Sequence, residues 1–168
     1  QVRLINLLEE WGFRKHGVKG NGEFVYTRNM QKKFDSNNPK LTYPFFGGRQ
    51  SRIFLVPIYE KYHTELLPDS ILNNEKKESF IDNEPYRNAI SKIYISRSLE
   101  RDIKKGDIII FYRTGGYHKG VVTTIGVVED VIFRIQGLSD FISKCRKRSV
   151  FSDKELQDHW EWNPRSRP

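Results

Sequence analysis

The sequence predicts a mixed α/β protein: a small closed or half-closed β-barrel with flanking helices, preceded by one helix and a β-hairpin. Short strand patterns rich in β-branched residues follow one another closely between residues 92 and 134, as they do in small barrels. Residues 2–11 and two segments near the end, 138–148 and 152–160, have the apolar spacing of amphipathic helices. A hydrophobic content of 37% is enough to form a core.

The first predicted element is a helix over residues 2–11, where apolar residues recur at the spacing of one helix face. Gly12 follows as the glycine that commonly ends a helix. The next residues predict two short strands, at 13–18 and 23–28, joined by a Gly-Asn-Gly turn at 20–22. This helix and hairpin are too small to fold alone, so we expect them to belong to a larger domain.

Residues 31–50 are rich in Asn, Pro, Gly and Lys without any period, which predicts a linker that lies over a surface. The linker separates a front piece, residues 1–30, from a domain over residues 51–168. We expect both ends of the chain to be cuts through a longer protein, since the first residue is Gln1 and an aromatic cluster stands just before the last residues.

The domain after the linker alternates strand patterns with polar segments. Pro57 cannot donate to a strand ladder, so we expect it at the end or the edge of the first strand. A short helix or turn follows that strand, and a helical turn is expected at 84–90 after an exposed loop. The strands are predicted at 52–58, 92–97, 107–113 and 121–134, the last of them bent or bulged near Gly126.

Two further helices are predicted in the tail, over residues 138–148 and 152–160. Ser139 and Ser152 are the expected N-caps, because a serine hydroxyl can accept a hydrogen bond from the first helical turn. Glu155 stands at the spacing of a capping box from Ser152. We therefore expect the last helix to have a well-defined start.

The composition limits which partners and which cellular compartment we expect for this protein. Lys and Arg number 29 against 21 Asp and Glu, and the formal charge of +8 would attract a polyanion such as nucleic acid. The apolar stretches are too short for a membrane helix and no leader pattern opens the chain, so we expect a cytoplasmic protein without membrane contact. Cys145 is the one cysteine, which excludes an internal disulfide or a cysteine-based zinc site. The spacing of the histidines is not typical of a metal site. If the domain had a hydrolytic activity of its own, His63 with Asp69 would be the best candidate pair.

A glycine-rich turn between the last two strand patterns collects the main candidate site. Tyrosine and histidine can stack on a base, arginine can hold a phosphate, and glycines let a backbone approach a ligand closely. A plain hairpin with exposed aromatic residues is the simpler interpretation, and the sequence leaves both open. The candidate residues are Tyr112, Arg113, Thr114, Tyr117 and His118.

Two further groups could contact nucleic acid. Trp160 and Trp162 alternate as residues of a strand do, and they could form an aromatic wall or could pack in a core. A basic run would cover the exposed end of the helix over 138–148, either as backbone contacts to nucleic acid or as a solvated face. We expect Cys145, inside this run, to be structural. The run consists of Lys144, Arg146, Lys147 and Arg148.

The strand order of the second domain resembles that of a known superfamily. Lys105-Gly106-Asp107 leads into an apolar strand, and Thr124-Ile-Gly-Val-Val-Glu129 follows the glycine turn. This arrangement resembles the PUA-like superfamily, which includes the EVE, ASCH and YTH domains, over roughly residues 50–168. The resemblance implies a β-pseudobarrel that binds RNA or DNA, with an extruded or modified base read in an aromatic-walled pocket.

The front piece resembles a different family. LLEEWGFRKHGVKGNGEFVYTRNM is similar to the closing helix and last two strands of a GNAT-type N-acetyltransferase, with Gly12-Phe13 and Met30 at the matching positions. The resemblance implies acetyl-CoA for a full-length parent. No counterpart of that family's pyrophosphate-binding loop occurs here, so no cofactor is expected in this chain. Leu8 stands where many members have a tyrosine general acid, so the parent would protonate its leaving group in another way.

Together these resemblances predict a bacterial protein in which an acetyltransferase domain precedes a nucleic-acid-binding PUA-like module. We expect no catalytic residues in this chain, and whether the parent is an enzyme stays open. One alternative is a substrate-recognition or dimerisation region of an acetyltransferase. Another is a protein-interaction module of a toxin or stress system, in which the basic helix would meet an acidic partner.

Overall fold

The structure is a computed structural model that describes residues 2–30, 33–47, 51–70, 84–98, 100–116 and 119–162. Over these residues the protein is mixed α/β, as predicted, with two small β-sheets and six α-helices. None of the helices in the described ranges has the length and apolar character to span a bilayer. The helices are α1 (Val2–Glu10), α2 (Pro39–Thr42), α3 (Glu60–Leu66), α4 (Pro85–Asn88), α5 (Leu138–Cys145) and α6 (Asp153–Glu161), with a 3₁₀ turn at Pro68–Ser70.

The strands form two separate sheets. A two-stranded antiparallel sheet pairs the first two strands, and a three-stranded sheet has the order β3-β4-β5. The strands are β1 (Phe13–Val18), β2 (Phe24–Arg28), β3 (Ile53–Tyr59), β4 (Ile108–Thr114) and β5 (Val122–Val127).

The chain divides into two compact units. The described residues 33–47, predicted as a linker, include α2 and belong to the first unit. The first unit comprises Gln1–Phe54, Lys104–Ile109 and Gly126–Asp130, and the second comprises Leu55–Ile103, Ile110–Ile125 and Val131–Pro168.

In the first unit, the predicted helix and hairpin are confirmed. α1 ends at Glu10, and Gly12, with φ +83°, donates its N–H to the carbonyl of Glu9, as helix-ending glycines do. Trp11 contacts Tyr43 edge to face at 5.3 Å between ring centroids. The β1–β2 pairing shifts register between Lys15 and Gly17, a bulge that the sequence did not predict.

The Lys-Gly-Asp turn also lies in the first unit, where backbone and side chain fix it. Gly106 N–H donates to the carbonyl of Val128, and Val128 N–H donates to the carbonyl of Asp107. The Asp107 carboxylate accepts from Lys104 N–H at 2.7 Å and from Arg52 Nη2 at 2.7 Å. Burial alone would raise the pKa of Asp107, but these two donors outweigh it and lower the pKa. Hydrogen bonds to its backbone and to the Asp107 side chain thus fix the conformation of the turn.

Two strand predictions need correction. The run predicted as a strand from 121 to 134 is a strand only to Val127, and the backbone beyond is irregular. Residues 92–97 are not a strand: Ile93 N–H donates to the carbonyl of Arg148, which lies in the loop after α5. Its β-branched residues reflect burial, because Ile93 and Ile95 pack against the helical core. A burial pattern therefore produced a false strand.

The core of the second unit lies between α5 and α6. The Phe141 and Trp160 rings lie 5.5 Å apart. The buried members are Phe141, Cys145, Leu156 and Trp160, and partly buried residues around them are Ile93, Ile95, Ile135, Leu138, Ile142 and Phe151. Burial raises the pKa of the Cys145 thiol to about 11, which is the environment of a structural cysteine.

The starts of the two core helices differ. The capping box predicted for α6 is confirmed: Glu155 N–H donates to Ser152 Oγ, and Ser152 N–H donates to Glu155 Oε2 at 2.9 Å. The N-cap predicted for α5 was wrong, because Gly137 occupies that position and Ser139 lies inside the helix. That helix also ends at Cys145, before the predicted end at 148, and Lys147 follows with φ +67°.

Candidate functional site

The glycine-rich turn follows β4 in the second unit. Tyr112, Arg113 and Thr114 are the last residues of β4, whereas Tyr117 and His118 lie outside the described residues. The backbone of Arg113 closes the hairpin, because its N–H donates to the carbonyl of Val121 and its carbonyl accepts from Gly120 N–H. Thr114 Oγ1 donates to the carbonyl of Ile58 on β3. The predicted site residues thus start at the end of a well-anchored strand.

Arg113 points inward. Its side chain is 1% exposed and its Nη2 lies 2.8 Å from Glu60 Oε1, at the first residue of α3. The Glu60 side chain is 48% exposed. We expected Arg113 to hold a phosphate, but a phosphate in solvent does not reach this guanidinium as it is placed here. The exposed group that it presents is instead the Glu60 carboxylate.

Gly116 leaves the space that this carboxylate occupies. A Cβ atom added at Gly116 would lie 1.9 Å from Glu60 Oε2 and 2.6 Å from Cδ. The residue also has φ +66°, which glycine adopts without strain. At Gly115, with φ +82°, an added Cβ would meet no atom within 4 Å. Glu60 therefore lies directly against the glycine turn, held from behind by Arg113.

Partly buried polar contacts hold α3 in place. His63 is fully buried and its Nε2 lies 2.8 Å from Thr123 Oγ1 on β5. Glu65 accepts from Arg87 Nη1 at 3.3 Å and from the Tyr86 hydroxyl at 3.2 Å. Burial, with the Glu65 charge, raises the pKa of Tyr86 to about 12. A helix held by contacts of this kind keeps its first residue, Glu60, in a defined position.

A second feature is a continuous series of aromatic and cationic side chains, which we call the aromatic–cation row. Lys61 Nζ lies 4.4 Å from the centroid of the Tyr62 ring. The Tyr62 and Phe151 rings are 4.9 Å apart, and the Phe151 and His159 rings are 4.4 Å apart. In order of contact the row consists of Lys61, Tyr62, Phe151, His159, Arg97 and Trp162.

Arg97 connects His159 on α6 with Trp162, the residue directly after α6. Its Nε donates to His159 Nδ1 at 3.2 Å, and its guanidinium carbon lies 4.7 Å from the centroid of the Trp162 ring. Burial and the neighbouring Arg97 charge lower the pKa of His159, while Glu155 and Asp158 oppose the shift. Neutral His159 can therefore accept the hydrogen bond from Arg97.

The two candidate tryptophans differ in their exposure to solvent. Trp160 is 9% exposed and belongs to the core, whereas Trp162 is 53% exposed and stacks with Arg97. The alternation expected of a strand was wrong here, because α6 continues to Glu161 and the two side chains leave a helix. Trp162 thus remains a candidate contact surface, whereas Trp160 belongs to the core.

The basic run of candidates is exposed but partly neutralised. Lys144 forms an ion pair with Asp140 one turn earlier in α5, and Arg146 pairs with Asp153. Lys147 and Arg148 are exposed and form no ion pair within the part of the chain that the structure describes. The run therefore presents fewer available positive charges than its sequence suggests.

The first unit contains an open cleft of about 550 Å³ around Lys40. Lys40 Nζ lies 3.1 Å from a Glu10 oxygen and 2.7 Å from a Glu129 oxygen, so its charge is neutralised locally. Among the described residues no group of three His, Cys, Asp or Glu side chains is gathered as metal ligands.

Comparisons of this chain with protein-family models, with curated proteins and with solved structures found no match. The site residues that sequence reasoning missed come from distant segments. Glu60 and Tyr62 stand in the polar stretch after β3, and Arg97 stands in the segment predicted as a strand. Phe151 lies before the last helix and His159 lies in it. The YEKYH stretch, aromatic and charged directly after a buried strand, was the signal that could have identified the first two.

Proposed function

We propose that this chain is a nucleic-acid-binding module, and that its second unit binds single-stranded RNA or DNA. The observation that carries the proposal is the aromatic–cation row, which ends in the exposed Trp162 beside Arg97. Proteins that bind single strands combine aromatic rings, on which bases stack, with cations that meet the backbone. Trp162, Arg97 and Lys61 are the exposed members of the row, and the half-buried rings of Tyr62, Phe151 and His159 connect them.

The chemistry of the row favours single strands over duplexes. Stacking of an unpaired base on an aromatic ring contributes about 1–3 kcal/mol, and only unpaired bases expose their faces. Arg97 and Lys61 stand at separate places in the row, so each can meet a different phosphate. The formal charge of +8 adds a general attraction that weakens with salt.

The proposal includes a PUA-like barrel and a base extruded at the glycine turn. The three strands in the order β3-β4-β5 and the closed Lys-Gly-Asp turn support it. It also includes the reading of the first α-helix and hairpin as the end of an acetyltransferase domain, with acetyl-CoA as the cofactor of a longer parent.

The test is binding of unstructured oligonucleotides and matched duplexes, measured by fluorescence anisotropy across a salt series. We expect single strands to bind more tightly than duplexes, with a dissociation constant that rises with salt. Trp162→Ala should weaken binding of every single-stranded sequence by about tenfold, the effect of one lost stack. Phe133→Ala is the matched control, because Phe133 is 54% exposed in the same unit and is not in the row.

A second pair of variants distinguishes binding through the row from binding through the overall positive charge. Arg97→Ala and Arg134→Ala each remove one exposed arginine from the second unit. We expect Arg97→Ala to weaken binding more than Arg134→Ala at equal salt, since Arg97 also positions Trp162. Equal losses for the two, together with no loss for Trp162→Ala, would reduce the interaction to nonspecific charge and contradict the proposal.

A second candidate function is dimerisation, and α1 favours it. None of its residues is buried, and Val2, Leu4 and Leu7 are 72%, 59% and 47% exposed, an exposure typical of helices that pack on a partner. Sedimentation of the wild type and of Leu4→Glu tests it. A dimer lost in Leu4→Glu but kept in Ile90→Glu, an equally exposed site of the second unit, would support it. A monomeric wild type would exclude it.

A further inference from the structure

We infer that Glu60 is the residue that reads a base: it accepts hydrogen bonds from the Watson–Crick edge of a single guanine seated at the glycine turn. This inference rests on the proposed function. It assigns the specificity of the site to a carboxylate that the sequence did not single out.

The Glu60 carboxylate is held in a fixed position. Arg113 Nη2 holds Glu60 Oε1 at 2.8 Å from inside, and within the described ranges no other residue donates to this carboxylate. Oε2 lies beside Gly116. A carboxylate has about four lone-pair directions, so one bond from Arg113 leaves capacity on both oxygens. Because Arg113 is nearly fully buried, this bond comes from the side opposite to solvent.

The glycine turn beside Glu60 leaves its carboxylate accessible to a ring. The glycine turn has no side chain at Gly115 and Gly116, and the Glu60 side chain is 48% exposed. Tyr59, the residue before Glu60, exposes 68% of its surface. Tyr59 is therefore the exposed aromatic residue adjacent in sequence to the acceptor, and within this inference it is the stacking partner of the base.

The chemistry of a carboxylate selects the base. A carboxylate accepts hydrogen bonds and cannot donate them. Guanine alone among the common bases presents two adjacent donors, N1–H and the N2 amino group, on its Watson–Crick edge. Adenine and cytosine place an acceptor nitrogen beside their amino group, and uracil flanks its N3–H with two carbonyl oxygens. Each of those acceptors would face the carboxylate and repel it.

The test uses a short oligouridylate in which one central base is guanine, inosine, 1-methylguanine, adenine or cytosine. We expect guanine to tighten binding about tenfold over uracil, within the range of a bidentate pair. Inosine, which lacks the amino group, should fall between them, and 1-methylguanine, which lacks N1–H, should lose the gain. These comparisons need no variant, so they hold whether or not a substitution at Glu60 folds.

Glu60→Gln keeps an acceptor oxygen for Arg113 but replaces the other with a donor. We expect the ratio of guanine to uracil affinity to fall toward unity. Glu100→Gln, a matched change at an exposed glutamate of the second unit, should leave the ratio unchanged. If the oligonucleotides bind with equal affinity whatever the central base, the inference is wrong while the proposed function stands.

If no oligonucleotide binds, the proposed function fails. The inference about Glu60 is then tested with free guanosine monophosphate. Its titration is followed by amide chemical shifts of Gly115 and Gly116 in the wild type and in Glu60→Gln. Shifts that occur in the wild type and not in the variant, and not with uridine monophosphate, support Glu60 as a guanine acceptor. No shift with either nucleotide overturns the inference as well.

Discussion

Arg113, with 1% of its side chain exposed, is paired at 2.8 Å with Glu60, whose side chain is 48% exposed. The pair is therefore asymmetric: one charge lies inside the second unit and the other reaches solvent. Loss of the inner charge leaves a carboxylate that water can solvate, whereas loss of the outer charge removes a partner from a buried cation.

This asymmetry predicts different costs for the two truncations. We expect Glu60→Ala to lower the free energy of unfolding by about 3 kcal/mol, and Arg113→Met, which keeps an apolar side chain of similar length, to lower it clearly less. Urea unfolding followed by tryptophan fluorescence measures both. A larger loss for Arg113→Met would show that the guanidinium stabilises the fold through its other contacts more than through Glu60.

The glycine turn permits a matched pair of substitutions. Gly115→Ala and Gly116→Ala both place a side chain at positive φ, +82° and +66°, at a cost of about 1–2 kcal/mol each. Gly116→Ala must in addition move Glu60 Oε2, which lies 1.9 Å from the new Cβ. We expect it to cost about 1–3 kcal/mol more than Gly115→Ala, measured by thermal and urea unfolding. Equal costs would mean that the Glu60 side chain moves without loss of its ion pair.

The Lys-Gly-Asp turn permits a second matched pair of glycine substitutions. An added Cβ at Gly106 would lie 2.5 Å from Ser36 Cβ and 2.8 Å from its Cα, and backbone cannot move as a side-chain end can. We expect Gly106→Ala to cost about 1–3 kcal/mol more than Gly120→Ala. Gly120 has φ +80° and nothing within 4 Å of an added Cβ. Unfolding curves that coincide for the two variants would contradict the close approach to Ser36.

His159 predicts a dependence on pH. Its pKa is lowered from 6.5 by burial and by Arg97, so the unfolded chain binds its proton first as the pH falls. The stability it contributes is complete above pH 6.5 and is lost as the pH drops below that value toward the lowered pKa. We expect the difference in stability between the wild type and His159→Asn to shrink from pH 7 to pH 5. Asn can still accept from Arg97 but does not titrate, so a constant difference would contradict this assignment.

Local signals in the sequence predicted local structure well. The capping box at Ser152 and Glu155, the helix that ends before Gly12 and the strand into the glycine turn all depend on neighbours a few residues apart. The prediction failed where the partner is distant. A β-branched run at 92–97 packs on a helical core, and the sequence could not say that its neighbour would be a loop rather than a strand.

The candidate site shows the same limit more sharply. The sequence indicated that Arg113 and Trp162 could contact a ligand, but each residue's role is set by a partner far along the chain. Glu60 turns the arginine inward, and Arg97 holds the tryptophan at the surface. Such pairings depend on how the strands and helices pack, which no periodicity or spacing in a single sequence encodes.

Helix α6 and the residue directly after it contribute side chains to both the row and the core. His159 and Trp162 belong to the row, while Leu156 and Trp160 are buried against α5. Local unfolding of this one helix would therefore remove the binding surface and open the core in the same event. Ligand binding at the row and folding of the second unit are then coupled by mass action. Any molecule that binds the row must also raise Tm. Candidate ligands can therefore be ranked by the shift in Tm that each produces.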